Sequence, residues 1–225
     1  MGEAIGQSLP MAVGVALSPV PIIAVVLMLT TARARANGPA FVLGWLLGLG
    51  VVGAVVLALA GPGASDEGKP ATWVSWLKLL LGLGLLLVAV RQLRGRPHEG
   101  EEAPLPKWMG AIDRFTPGQA LGGGAALAGA NPKNLLLAVG GAAAIAQTGI
   151  AGGQQAIAYA VFAVVGTLGV GGPVVLYLAM GKRSAELLGR LKDWMAHNNA
   201  VIMAVLCLVI GVKLVGDAFA GLTAA

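Results

Sequence analysis

Lys133 stands in the segment Asn131–Pro132–Lys133–Asn134, and the apolar run Leu135–Leu136–Leu137–Ala138 follows it directly. A second proline-centred segment, Ser18–Pro19–Val20–Pro21, precedes Ile22–Ile23–Ala24–Val25 in the same way. Ser and Asn are favoured helix N-caps, and proline is favoured at the first helical position, where its missing N–H is no loss. Each segment therefore reads as a helix starting anew. Such a start carries about half a positive charge on its unpaired N–H groups and readily takes carboxylate, phosphate or sulfate. With Lys133 as a fixed charge and Ser18, Asn131 and Asn134 as hydrogen-bonding groups, the chemistry expected where the two starts meet is anion binding.

The elements around these residues are membrane spans. Hydrophobic residues make up 57% of the 225 and charged residues only 11%, with a mean hydropathy of +0.82. A soluble domain carries about 25% charged residues, so most of this surface needs an apolar solvent. The 35 glycines suit helices that pack closely inside a bilayer. A crossing needs ~20 mostly apolar residues, and six such stretches are present: 4–31, 39–61, 72–93, 117–148, 154–180 and 197–220. Between them lie a short basic loop ending in Asn37–Gly38–Pro39, a polar turn over 61–70, a charged proline-containing linker over 94–116, a tight turn over 149–153 and a charged helical connection over 182–193.

Basic residues orient the spans. Arg33, Arg35, Arg91, Arg94, Arg96, Lys107, Arg114, Lys182, Arg183, Arg190 and Lys192 fall on one side, and Lys69 alone falls in a loop on the other. The positive-inside rule then puts the first, third and fifth loops in the cytoplasm. The expectation is a multi-pass plasma-membrane protein with both termini extracytoplasmic. Met1–Gly2–Glu3 has no Lys or Arg, so a cleaved signal peptide is not expected.

Pro19 and Pro132 are 113 residues apart, about half the chain. The fold class expected is all-α: two three-helix repeats, 1–93 and 117–225, joined by the cytoplasmic linker 94–116, with broken first and fourth spans. Three spans per half would insert the halves with opposite orientation, the inverted-repeat plan of many secondary transporters.

In that frame Lys133 lies about 15 Å from either interface, too deep to snorkel out. A lysine at mid-helix costs roughly 2.5–3.5 kcal/mol on insertion scales. No Asp or Glu stands mid-span, so its partner is either a backbone carbonyl of the broken helices or a bound anion. Lys78 and Lys213 lie nearer their span ends and are expected to snorkel, with Asp217 placed to pair Lys213 at i,i+4. Trp45, Trp73 and Trp76 suit packing or interface anchoring. Gly44 and Gly48 form a GxxxG suited to close helix packing, with a homodimer contact as the lesser alternative.

Other function classes lack their residues. Gly181–Lys182–Arg183 misses both the upstream glycine and the following Ser or Thr of a phosphate-binding loop. His98 and His197 are isolated, and Cys207 is the single cysteine, which excludes an internal disulfide and a zinc ribbon. Glu99, Glu101 and Glu102 read as a solvated acidic stretch of the linker. No enzyme, cofactor or nucleic-acid partner is expected.

The stretches ALSPVPIIAVVLMLTTARARANGPAFVLGWLLGL and LAGANPKNLLLAVGGAAAIAQTG resemble the two signature regions of the actinobacterial GAP/Sap family, the peptidoglycolipid- and sulfolipid-addressing proteins of the lysine-exporter (LysE) superfamily. The resemblance is strongest over 17–48 and 127–149. It implies a six-helix inverted-repeat exporter that moves, or helps to move, cell-envelope glycolipids. It also carries Ser18, Pro19, Pro21, Asn131, Pro132, Lys133 and Asn134 over as site residues. The reading that results is a secondary-type transporter exporting an anionic or amphiphilic cell-envelope metabolite such as a glycolipid. The alternatives are an exporter of amino acids or other small solutes and a non-transporting accessory protein of a lipid-export complex. Partners expected are membrane lipids, the substrate, a larger lipid-export complex and, as a lesser option, a second copy of the chain.

Overall fold

The structure is a computed structural model, and it describes residues 1–60, 72–95 and 107–223. The expected polar turn at 61–70 and the middle of the linker (96–106) lie outside the described residues. Within them the chain is all-helical. Eight α-helices run in the order α1 (Gly2–Ala16), α2 (Pro19–Leu29), α3 (Ala34–Ala60), α4 (Thr72–Arg94), α5 (Pro117–Gly129), α6 (Pro132–Ala146), α7 (Gly152–Met180) and α8 (Ala185–Thr223). Short 3-10 segments, Lys107–Arg114 and Gly181–Ser184, lead into α5 and α8.

The helices α3, α4, α7 and α8 are each long and apolar enough to cross a membrane. The pair α1 and α2 is apolar enough as one span bent by 50° at its break. The stretch 117–148 is two half-helices of 13 and 15 residues, and α5 is built mostly of Gly and Ala. The expected connection at 182–193 merges into α8, whose 39 residues span about 58 Å. It therefore runs well past the ~30 Å apolar core with a charged first part.

Burial sorts the helices into a centre and a rim. Nine of the eleven α2 residues and eleven of the fifteen α6 residues are buried. Around them the outer helices turn large apolar side chains outward. On α3, Leu43, Leu47, Val51, Val55 and Leu59 are all exposed at four-residue spacing, while Phe41, Trp45 and Leu49 are fully buried on the other face. A water-facing helix would carry charge on that outer stripe; a lipid-facing one carries what is seen here.

Small residues set the closest helix contacts. A Cβ on Gly44 would strike the Leu121 carbonyl, one on Gly48 would meet the Ala125 carbonyl, and one on Gly124 would strike the Phe41 carbonyl. The GxxxG of α3 therefore packs inside the chain, against α5. Gly82 and Gly211 do the same for α4 and α8, each facing the other's carbonyl. Trp45 is a packing residue stacked near Phe41 with ring centroids 6.4 Å apart, whereas Trp76 is exposed.

One expectation is corrected. Lys78 does not snorkel: it is 3% exposed and points into the α4–α8 seam, within electrostatic reach of Asp217 and Lys213. The α4–α8 contact is tight because both helices offer glycine there, so the side chain is held between them. Lys213 does pair Asp217, at 2.6 Å.

Candidate functional site

Each break follows from its own residues. Thr116 opens α5 with a reciprocal capping box, accepting from the Gln119 N–H at 3.3 Å while its own N–H donates to Gln119 Oε1 at 2.8 Å. That helix ends at Gly129. Asn131 then caps α6 by accepting from the Lys133 N–H at 3.1 Å, with Pro132 at the first position.

The first break differs in one respect. Ser18 holds the N-cap position of α2, but its side chain caps nothing there. Pro19 has no N–H to give the Val15 carbonyl. The Ser18 N–H bonds Val15 instead, at 3.2 Å. That shift frees the Gly14 carbonyl, which Ser18 N–H would bond in an unbroken helix.

Lys133 fills that vacancy across the bundle. Its Nζ donates to the Gly14 carbonyl at 2.8 Å and to Ser18 Oγ at 3.0 Å. Ser18 Oγ in turn donates to Asn134 Oδ1 at 2.9 Å, and Asn134 Nδ2 donates to the Leu127 carbonyl at 2.9 Å. One hydrogen-bonded chain thus links the end of α1, the start of α6 and the end of α5. Ser18, Lys133 and Asn134 are all buried, at 2%, 2% and 0% exposure. The buried Cys207 of α8 lies close enough to Lys133 to interact with it electrostatically.

Of the seven residues singled out from sequence, Ser18, Lys133 and Asn134 come together in this chain. Pro19 and Pro21 are buried beside it at the start of α2. Asn131 is half-buried and occupied as a cap, and Pro132 is exposed. Two partners were not legible as site residues, because both act through the backbone: the carbonyls of Gly14 and Leu127. A signal for Gly14 exists, since counting back four from the residue before Pro19 finds the carbonyl a proline break releases.

The electrostatics also depart from the expectation of converging positive ends. The ammonium bonds the Gly14 carbonyl at the carbonyl end of α1, which carries the negative end of a helix dipole. Every hydrogen-bond partner of Nζ among the described residues is neutral.

Among the described residues, cavities flank the bundle. One of about 500 Å³ lies between α2, α3 and α5, lined by Met28, Phe41, Phe115, Gly122, Gly123 and Leu127 among others. The second, about 610 Å³, is a groove along α7 next to Leu46. Lys133 lines neither, but Leu127, whose carbonyl ends the hydrogen-bonded chain, lines the first.

An all-helical bundle with lipid-facing outer helices and a buried polar chain at two helix breaks defines an integral membrane protein with an internal polar centre. Residues 9–220 match the family described as Sap, sulfolipid-1-addressing protein, and the chain belongs to that family. No curated protein and no solved structure matches the chain.

Proposed function

We propose that this protein is a secondary-type transporter that exports an anionic, amphiphilic cell-envelope lipid, with α5 and α6 together serving as a sixth span. The observation that carries the reading is the Lys133 ammonium, buried at the meeting of two broken helices with only neutral hydrogen-bond partners among the described residues. A buried cation with no acid beside it among the described residues is costly, and ionisable side chains inside a membrane mark substrate pathways. In the resting arrangement the Gly14 carbonyl and Ser18 hydroxyl hold the ammonium. A sulfate- or phosphate-bearing headgroup would compete with both for it, loosening the contact between α1 and α6 as it binds. The description of the family as addressing a sulfolipid agrees with an anionic substrate.

The order of helix contacts supports an inverted repeat. The helices α1 to α4 correspond in order to α5 to α8. Packing of α3 on α5 is matched by α7 on α1, packing of α2 on α7 by α6 on α3, and packing of α2 on α8 by α6 on α4. The pairs α3–α7 and α4–α8 map onto themselves. The contact of α1 with α6, where Lys133 sits, has no equally strong counterpart between α5 and α2, so the polar chain belongs to one half of the pattern.

A second reading has an observation of its own. The two hydrogen bonds from Lys133 repair the broken end of α1, so the lysine can be purely architectural in an accessory protein of a lipid-export complex. Reconstitution separates these readings. Purified protein in phosphatidylcholine vesicles is expected to speed transbilayer movement of a fluorescent phosphatidylglycerol above protein-free vesicles. Counterflow of amino acids without lipid movement would instead favour a small-solute exporter, and complete inactivity an accessory role.

A further inference from the structure

The cavity between α2, α3 and α5 is apolar along its length. Met28, Phe41, Phe115 and Leu127 form its walls, and Gly122, Gly123 and Ala126 keep one side open, with Gln119 as its polar residue. Its volume of about 500 Å³ falls in the roughly 300–1,000 Å³ range of small-molecule pockets. It opens sideways, since Gly122 and Ala126 are exposed on α5 and a Cβ on Gly122 would meet nothing within 4 Å. A sideways apolar opening in a membrane-spanning bundle faces acyl chains.

Arginines stand near lining residues of this cavity in the chain. Met28 precedes the turn that carries Arg33, Arg35 stands in the first turn of α3, and Phe115 follows Arg114 directly. Asn37 ties the two segments together, donating from Nδ2 to the Phe115 carbonyl at 2.9 Å. Its Oδ1 is fully buried with no hydrogen-bond partner. The three arginines are exposed, and Asp113 is the one acidic residue in the described segments that meet there. The cavity is also lined by Leu127, whose carbonyl holds Asn134 and through it Ser18 and Lys133.

We propose that this cavity seats one acyl chain of an anionic bilayer lipid, with the headgroup against Arg33, Arg35 and Arg114 and the chain end near Leu127. Guanidinium groups bind phosphate and sulfate oxygens through paired charge-assisted hydrogen bonds, and anionic lipid surfaces attract each such residue. The seat deepens the transporter reading by giving the substrate a way in from the basic side. It rests on that reading for its use in transport, while occupancy of the cavity is measured separately.

The test is native mass spectrometry of the full chain, taken into mild detergent from vesicles of equal phosphatidylglycerol and phosphatidylcholine. The wild type is expected to retain one phosphatidylglycerol in preference to phosphatidylcholine. Gly122→Phe, and separately Gly123→Leu, whose Cβ would lie 3.9 Å from the Phe115 ring, should each lower that occupancy about tenfold. Gly50→Phe, placed in open space on the lipid face of α3, should leave it unchanged. The triple variant Arg33→Gln, Arg35→Gln, Arg114→Gln should erase the headgroup preference. Retention unchanged in both filled-cavity variants, or no preference for phosphatidylglycerol in the wild type, overturns the proposal. Since transport by Lys133 variants is a separate assay, lipid occupancy can fail while transport persists, and the reverse.

Discussion

The ammonium of Lys133 and the carbonyl of Gly14 meet at 2.8 Å across the bundle, although 119 residues separate them in the chain. The contact exists because Pro19 cannot donate to Val15, so that Ser18 N–H moves over and the Gly14 carbonyl is left without its helical partner. A lysine from one half of the chain thereby completes a helix end in the other. The same side chain reaches Ser18 Oγ, and Ser18 passes the link on to Asn134.

Ser18→Ala tests whether these groups act together. It leaves Asn134 Oδ1 without a donor and Lys133 with one acceptor fewer, a loss of about 1–3 kcal/mol for buried unsatisfied groups. In a Lys133→Met background the same change should be milder, with a coupling of roughly 0.5–3 kcal/mol. Thermal unfolding in detergent for the four proteins of the cycle measures it, and strict additivity would mean that the two side chains do not depend on each other.

The α3–α5 seam predicts an ordering among glycines. Gly44→Ala and Gly124→Ala press a methyl group against a backbone carbonyl that cannot rotate away, so each should destabilise by about 1–3 kcal/mol. Gly50→Ala meets nothing and should stay within about 0.5 kcal/mol. Size-exclusion chromatography should show no change of oligomeric state for Gly44→Ala, because this GxxxG is already occupied within the chain.

Burial of Lys78 makes a chemical prediction. An amine-reactive acylating reagent should modify Lys213, whose side chain is 32% exposed, well before Lys78 at 3%. Peptide mapping after brief labelling reads the order. Equal modification of both would restore the snorkelling expected from position alone.

Much of this molecule is legible in its sequence, and the boundary falls where backbone begins to matter. Pro19 and Pro132 mark both helix breaks because a missing N–H is a property of the residue itself. The expected depth of Lys133 and the absence of mid-span acids follow from spacing, and they anticipate a partner that is either a carbonyl or an anion; in the structure the ammonium holds the Gly14 carbonyl and also the Ser18 hydroxyl, which spacing did not anticipate as its partner. Nor did spacing give the carbonyl's identity, since Gly14 and Leu127 take part through groups every residue has. Ser18 looks like Asn131 as a cap, yet its hydroxyl turns to α6 because a buried ammonium and an amide are there to hold it. Lys78 misleads for a related reason: position along a helix gives depth, but the face it occupies depends on the glycine contact between α4 and α8. Four helices and one bent pair match expected spans, and 117–148 does not stand out as a further one because α5 is rich in Gly and Ala and weakly hydrophobic on its own.

Orientation is testable with the single native cysteine removed. In a Cys207→Ala background, Arg35→Cys should resist a membrane-impermeant maleimide added to intact cells, and Gly2→Cys should react. The opposite pattern would reverse the assignment of sides from the basic loops.

The most direct test of the central claim compares Lys133→Met with the wild type in phosphatidylcholine vesicles, following transbilayer movement of fluorescent phosphatidylglycerol, with helix content and thermal unfolding confirming that both are folded. If an anionic headgroup exchanges places with the Gly14 carbonyl at this ammonium, the variant should lose about tenfold or more in rate, as expected for losing ~1.4 kcal/mol or more of transition-state stabilisation. A folded Lys133→Met protein that moves the lipid at the wild-type rate would contradict the account and leave Lys133 as a fastening of the α1 break.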